Sequence, residues 1–201
     1  ILRACLEDST SSSTNNKQKG KALVGKAAHG LTFVFNSALS VLASQSNFKV
    51  FKEAFSFMQE NNVAFNEETT AHIISVLGRT GKSAMIAPLL TALGRSDTAV
   101  VARKQLAEAT GLHLPSSEPL PPLGMVHYTS AISVCLMANE LEHARGILVL
   151  MRENGVPPTV DCMQSFSLAY ARGAIRSAAK DATTSMSRAQ NAYSIAMALK
   201  D

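Results

Sequence analysis

The chain has 201 residues, enough to bury a sizeable core or to stack several small repeats, and at 46% apolar and 17% charged it is too apolar for a disordered chain. No apolar run reaches the length of a membrane span, and the three cysteines (Cys5, Cys135, Cys162) form no CxxC pair and no zinc spacing, which points to reduced thiols. The net charge of +4 sits mostly in residues 1–30, where Arg3, Lys17, Lys19, Lys21 and Lys26 outnumber Glu7 and Asp8, a mild basicity compatible with nucleic acid without requiring it.

The sequence opens at Ile rather than Met, as a processed chain does, so no targeting segment is to be judged from it. Residues 9–20 (STSSSTNNKQKG) are polar and lack an apolar period, and residues 1–31 read as a flexible lead-in. From Thr32 the pattern turns helical. FVFNSALSVLA and NFKVFKEAFSFMQEN space apolar residues three and four apart, with a polar turn at Ser44–Asn47 between them. Asn61-Asn62-Val63 closes the second helix, Asn being tolerated in a left-handed helix end.

The same unit returns. Residues 32–66 align without a gap on residues 125–159: Phe35 meets Tyr128, Ala38-Leu39-Ser40-Val41 meets Ala131-Ile132-Ser133-Val134, and Met58, Glu60, Asn61 and Val63 meet Met151, Glu153, Asn154 and Val156. Residues 67–90 continue the 35-residue register, with His72–Leu77 where Ser37–Leu42 stood, and a fourth unit starts at Val160. Between the second and third units 23 residues are extra. They predict a further helix over Thr98–Ala109 capped by Asp97, then a connector over 111–124 in which Pro115, Pro119, Pro121 and Pro122 exclude helix. That connector is the expected hinge between residues 1–110 and 125–201. After Gly173 a long helix is expected to run to the end, interrupted near Thr183–Ser187.

Tyr128-Thr129-Ser130-Ala131-Ile132, then Glu140-Leu141-Glu142-His143-Ala144, then Met151-Arg152-Glu153-Asn154-Gly155-Val156-Pro157-Pro158 carry a resemblance. In order and spacing they resemble the pentatricopeptide repeat family, over about residues 32–93 and 125–180. The 35-residue period and the missing Trp argue against tetratricopeptide repeats, whose period is 34. The resemblance implies an all-α fold, a right-handed α-solenoid of three to four helix-turn-helix hairpins, here interrupted by an extra helix and a proline-rich connector. It implies single-stranded RNA binding in the mitochondrial matrix or chloroplast stroma, one base per repeat. The family reads bases with a polar residue of the first helix and the last residue of the repeat. Carried over, these are Asn36 with Asn66, a pairing that in the family favours pyrimidines, and Thr129 with Thr159, which has no clear preference. The second unit has Ala71 at the first position, whose methyl offers a base edge no hydrogen bond, and the fourth has Gln164 without a closing partner.

Arg79 and Arg172 occupy one place in the second and fourth units, where the family often carries a cation near the RNA backbone; the plain alternative is a cation satisfying a helix C-terminus. Arg176 and Lys180, four apart, extend that basic surface. The string VLGRTGKS (76–83) imitates a phosphate-binding loop, but Val76 stands where the first glycine is required, and the segment aligns with the inter-helix turn of the repeat. It reads as a turn. The five histidines are scattered without HxxxH or HxE pairing, Cys135 falls on a buried face, and Met58 with Met151 marks hairpin core. No metal, cofactor or catalytic constellation is expected. The expected function is a non-enzymatic organellar RNA-associated adaptor, in RNA processing or as a ribosome-associated subunit. Its partners would be single-stranded RNA or rRNA and the other proteins of a ribonucleoprotein complex. The alternative is a protein–protein scaffold without RNA reading, favoured by the degenerate reading positions.

Overall fold

The computed structural model describes residues 17–94, 98–115, 121–177 and 182–198. Among these residues there are nine α-helices and no strand: α1 Lys17–Ser44, α2 Phe48–Glu60, α3 Glu67–Arg79, α4 Ile86–Leu93, α5 Ala99–Thr110, α6 Met125–Met137, α7 Leu141–Glu153, α8 Val160–Ser177 and α9 Ala182–Ala198. The fold is all-α. No described helix is long and apolar enough to cross a membrane.

The 35-residue period reappears as backbone geometry. Ser46, Gly81 and Asn139, one template position in three units, all have left-handed backbone, with φ of 56°, 70° and 62°. At each, the next residue's N–H reaches back across the helix end: Asn47 to Leu42 O (3.3 Å), Lys82 to Leu77 O (2.8 Å) and Glu140 to Cys135 O (2.9 Å). The same closure recurs between hairpins at Asn62 and Gly155 (φ 53° and 72°), with Val63 and Val156 donating to Met58 O and Met151 O. These bonds satisfy carbonyls that a helix end leaves without a partner and turn the chain through a fixed angle. Gly81 lies inside the GRTGKS string, so the apparent phosphate loop is a helix terminus.

The first helices α1, α3, α6 and α8 pack in succession, each on the next. Equivalent residues fill their contacts: Phe35 and Tyr128 are 1% exposed, and Leu39 and Ile132 are buried beside them. Met58 and Met151 are likewise buried at one position of the second helices. Helices α3 and α6 approach closely at Gly78, where a Cβ would lie 1.7 Å from Val134 Cγ1. The absence of a side chain at Gly78 is what lets the second and third hairpins close.

The inserted segment stays out of this stack. Helix α5 packs on α4 and on the 3-10 turn Ser83–Met85 that precedes it. The chain after α5 then returns toward α2, where Gln59 Nε2 donates to His113 O at 2.6 Å. Because α3 packs directly on α6, the connector expected to act as a hinge joins two halves that touch.

Several boundaries differ from the sequence reading. Helix α1 begins at Lys17, well inside the segment expected to be flexible, because Lys, Ala and Leu around Gly20 and Gly25 propagate a helix that each glycine weakens by only about 1 kcal/mol. Helix α5 starts at Ala99 with Thr98 at its N-cap position and no side-chain cap bond there, and Asp97 lies outside the described residues. The second helix of the second unit is short and enters through a 3-10 turn, since Pro88 in its first turn has no N–H to donate. Helix α9 runs unbroken through Thr183–Ser187.

Gly78→Ala is expected to lower stability by about 1–3 kcal/mol, the overpacking against Val134 exceeding the gain in helix propensity. Urea denaturation followed by circular dichroism measures it; an unchanged midpoint would show that the α3–α6 approach is loose.

Candidate nucleic-acid interface

Asn66 is the N-cap of α3, as its place before Glu67-Glu68-Thr69 prepares it to be. Its Oδ1 accepts from Thr69 N at 3.0 Å, and its own N–H donates to Thr69 Oγ1 at 3.3 Å, a reciprocal cap. Asn36, on the buried side of α1, joins this cap. Its Nδ2 donates to Asn66 Oδ1 and to Glu68 Oε2, both at 3.0 Å. Thr69 Oγ1 lies 2.9 Å from both Asn36 Oδ1 and Asn66 Oδ1 and has one proton to give. Asn66 Oδ1 already accepts two bonds, so the proton belongs to Asn36. The two residues of the first reading pair therefore meet, but they meet each other. Asn36 is 0% exposed, and both its amide hydrogens and its oxygen are engaged inside the protein. A base reaches Asn36 only by breaking that network.

In the third unit the pair is open. Thr129 on α6 and Thr159, at the head of α8, line one groove of about 310 Å³ together with Val126, Ile132, Asp161 and Ser165. Thr129 Oγ1 donates back to Met125 O (3.0 Å), and Thr159 Oγ1 accepts from Cys162 N (3.2 Å). A second groove of about 670 Å³ shares Ser133 and Ser165 with the first and continues between α6 and α8 to Leu136, Met137, Leu168 and Arg172. Met137 (85%), Leu168 (57%) and Ile175 (76%) stand exposed along it.

Arg79 lies in the last turn of α3 and Arg172 lies in α8, which ends at Ser177; both are exposed. Met137 occupies their template position in the third unit. Acidic residues hold the other end of the same helices: Glu67 and Glu68 in the first turn of α3, Asp161 in that of α8. On α3 both ends follow the helix dipole, and Asp161 does so at the start of α8. The side chains of Arg176 and Lys180 lie outside the described residues.

The neighbouring titratable groups are occupied or inert. Burial lowers the His72 imidazole below its usual range, and Glu68, 3.9 Å away, raises it by less. His127 is 4% exposed and joins α6 to α3: its Nδ1 accepts from Gly124 N (3.1 Å), and its Nε2 lies 3.3 Å from Glu67 O. Burial pushes the Cys135 thiol up to about 11, with Glu140 adding to the effect, so it is a core residue and not a nucleophile. Ser83, Glu140 and His143 do gather in space. However, the Ser83 hydroxyl and His143 Nδ1 both bond the same Glu140 oxygen. The carboxylate stands between hydroxyl and imidazole, so the imidazole is not placed to take the serine proton, and the cluster instead ties the second hairpin to the third. Among the described residues no group of three or more His, Cys, Asp or Glu is placed to hold a metal.

Sequence reasoning missed the inward role of Asn36, although the run Asn66-Glu67-Glu68-Thr69 carried a readable N-cap signal. It also passed over Asp161 and Ser165, which only a packed α6–α8 pair brings beside Thr129. Compared with family models and with curated proteins, the sequence matches none at a significant level.

Asn36→Ala should cost about 1–3 kcal/mol in urea denaturation, because it strips partners from Asn66, Glu68 and Thr69 at a buried site. Bonds from Ser83 first and His143 second hold the Glu140 carboxyl below the usual glutamate range. A carboxylate so held adds stability that is present above its ordinary value and lost as pH falls through the lowered one. Glu140→Gln is therefore expected to flatten the acid limb of a stability profile taken from about pH 6 to about pH 3; a limb as steep as in the wild type would assign it to other carboxylates.

Proposed function

We propose that this chain is a non-enzymatic helical-repeat adaptor, a right-handed solenoid of pentatricopeptide-like hairpins that holds single-stranded RNA or rRNA along its first helices. Its setting is a ribonucleoprotein complex of the mitochondrial matrix or chloroplast stroma, in RNA processing or beside a ribosome. The observation that carries this reading is the recurrence of Arg79 and Arg172 at one template position on α3 and α8, the two first helices that pack on either side of α6. A guanidinium at that spacing neutralises phosphates without regard to sequence, and such contacts supply most of non-specific affinity. The engagement of Asn36 within the protein counts against base reading in the first unit.

A second reading is a protein–protein scaffold that docks subunits on the same helices. The exposed Met137, Leu168 and Ile175 favour it, since nucleic-acid interfaces are more polar and more basic than this stretch.

Salt dependence separates the two. RNA affinity measured by fluorescence anisotropy should fall steeply as salt rises, and Arg79→Ala combined with Arg172→Ala should reduce the slope of log affinity on log salt by about 1.4, or about 0.7 per phosphate contact. Binding indifferent to salt, or an unaltered slope in the double variant, would favour the scaffold.

A further inference from the structure

We infer that the chain associates head to tail with a second copy of itself, the open face of α1 in one copy stacking on the open face of α8 in the next. The inference is independent of what the first helices hold, because it concerns the two ends of their stack. It comes from comparing faces that the 35-residue template makes equivalent. Inside the stack each first helix turns one face back to the helix before it and another forward to the helix after it. The backward face of α3 carries Glu68 and Thr69, which bond Asn36 of α1, and that of α6 carries His127, which lies 3.3 Å from Glu67 O of α3. Seven residues after Thr69 and after His127 stands a valine, Val76 on α3 and Val134 on α6. Val134 lies over Gly78, and the residue of α1 in the place of Gly78 is Ala43, also small and buried. The third junction keeps this complementarity with the sizes exchanged, Leu136 on α6 and Ala169 on α8 lining one groove.

At the two ends the same faces are open. The backward face of α1 presents Phe33, Ser37 and Val41, four residues apart on one stripe and all exposed. Phe33 is 68% and Val41 55% exposed, whereas Val76, at the template position of Val41, is buried. The forward face of α8 presents Val160 and Gln164, both exposed, and the half-buried Ala171 in the place of Gly78. A repeat stack that ends in water needs polar end faces, and an exposed aromatic and a branched aliphatic side chain do not make one. The unmatched valine at the head, Val41, has an unmatched small residue to meet at the tail, Ala171, as Val134 meets Gly78. None of these end residues is charged, so no repulsion opposes the contact. The occupant that continues the existing junctions is therefore the tail of the same chain. The two surfaces differ, which makes the interface heterologous, and each added copy presents one open head and one open tail again.

The test is analytical ultracentrifugation of the 201-residue chain without RNA. The weight-average mass should rise with protein concentration. Val41→Arg puts a charge in the head and Ala171→Arg one in the tail, and each alone should weaken association by at least about tenfold. Circular dichroism checks that both are folded, and Val160→Arg, at an exposed position, is the second tail variant. An equimolar mixture of a head variant and a tail variant should form a dimer and grow no further, since one intact head meets one intact tail. A wild-type mass that stays at one chain at every concentration overturns the inference. So does association that survives the head variant or both tail variants, and so does a mixture that remains monomeric. The salt dependence of RNA affinity is read separately, so either conclusion can fail without the other.

Discussion

Much of this molecule depends on a single backbone requirement: at each of five helix ends of the repeat, one residue adopts left-handed φ. An L-residue with a side chain resists that region by about 1–2 kcal/mol, and the cost is offset where the reversal lets helix-end carbonyls find partners. Ser46, Asn62, Gly81, Asn139 and Gly155 meet the requirement with three different residue types. The turn therefore tolerates substitution while its position does not. That fixed position sets the direction in which each second helix returns, and hence which residues of the first helices face one another. Gly78 and Val134 meet because two such turns agree.

The same stacking decides what polar groups remain for a ligand. At the first two hairpins the packing draws Asn36 into the cap of α3, and its hydrogen-bonding capacity is spent on the fold. At the last two, residue 129 is a threonine whose short side chain satisfies its own helix and cannot reach the next cap. The groove stays open there. A larger amide at one position closes a site that a hydroxyl leaves accessible, so equivalent template positions differ in kind according to side-chain length.

The helices and their pairing were legible because the apolar period and the turn residues are local signals, and both repeat. Asn61-Asn62 announced a left-handed end, and Val76 in place of glycine, together with the alignment on the inter-helix turn, set the phosphate loop aside. The limits were physical too. The start of α1 was hidden because Gly20, Gly25 and Gly30 dilute a helical segment that has no clear apolar period to betray it. The role of Asn36 was hidden because it depends on residues 30 and more positions away, Asn66 and Glu68, whose side chains the fold brings within 3.0 Å. The place of Asp161 beside the groove was hidden, since Thr129 and Ile132, which line it too, lie on another helix.

The inserted helix α5 lies on the second-helix side, while α3 and α6 remain in contact. Chain length and spatial spacing are therefore uncoupled at this point. Lengthening the connector changes the closure entropy by only about 0.6 kcal/mol per doubling, and it leaves the pitch between neighbouring first helices untouched. Along its first-helix face the molecule measures distance in hairpins, whatever number of residues the chain takes to pass from one to the next.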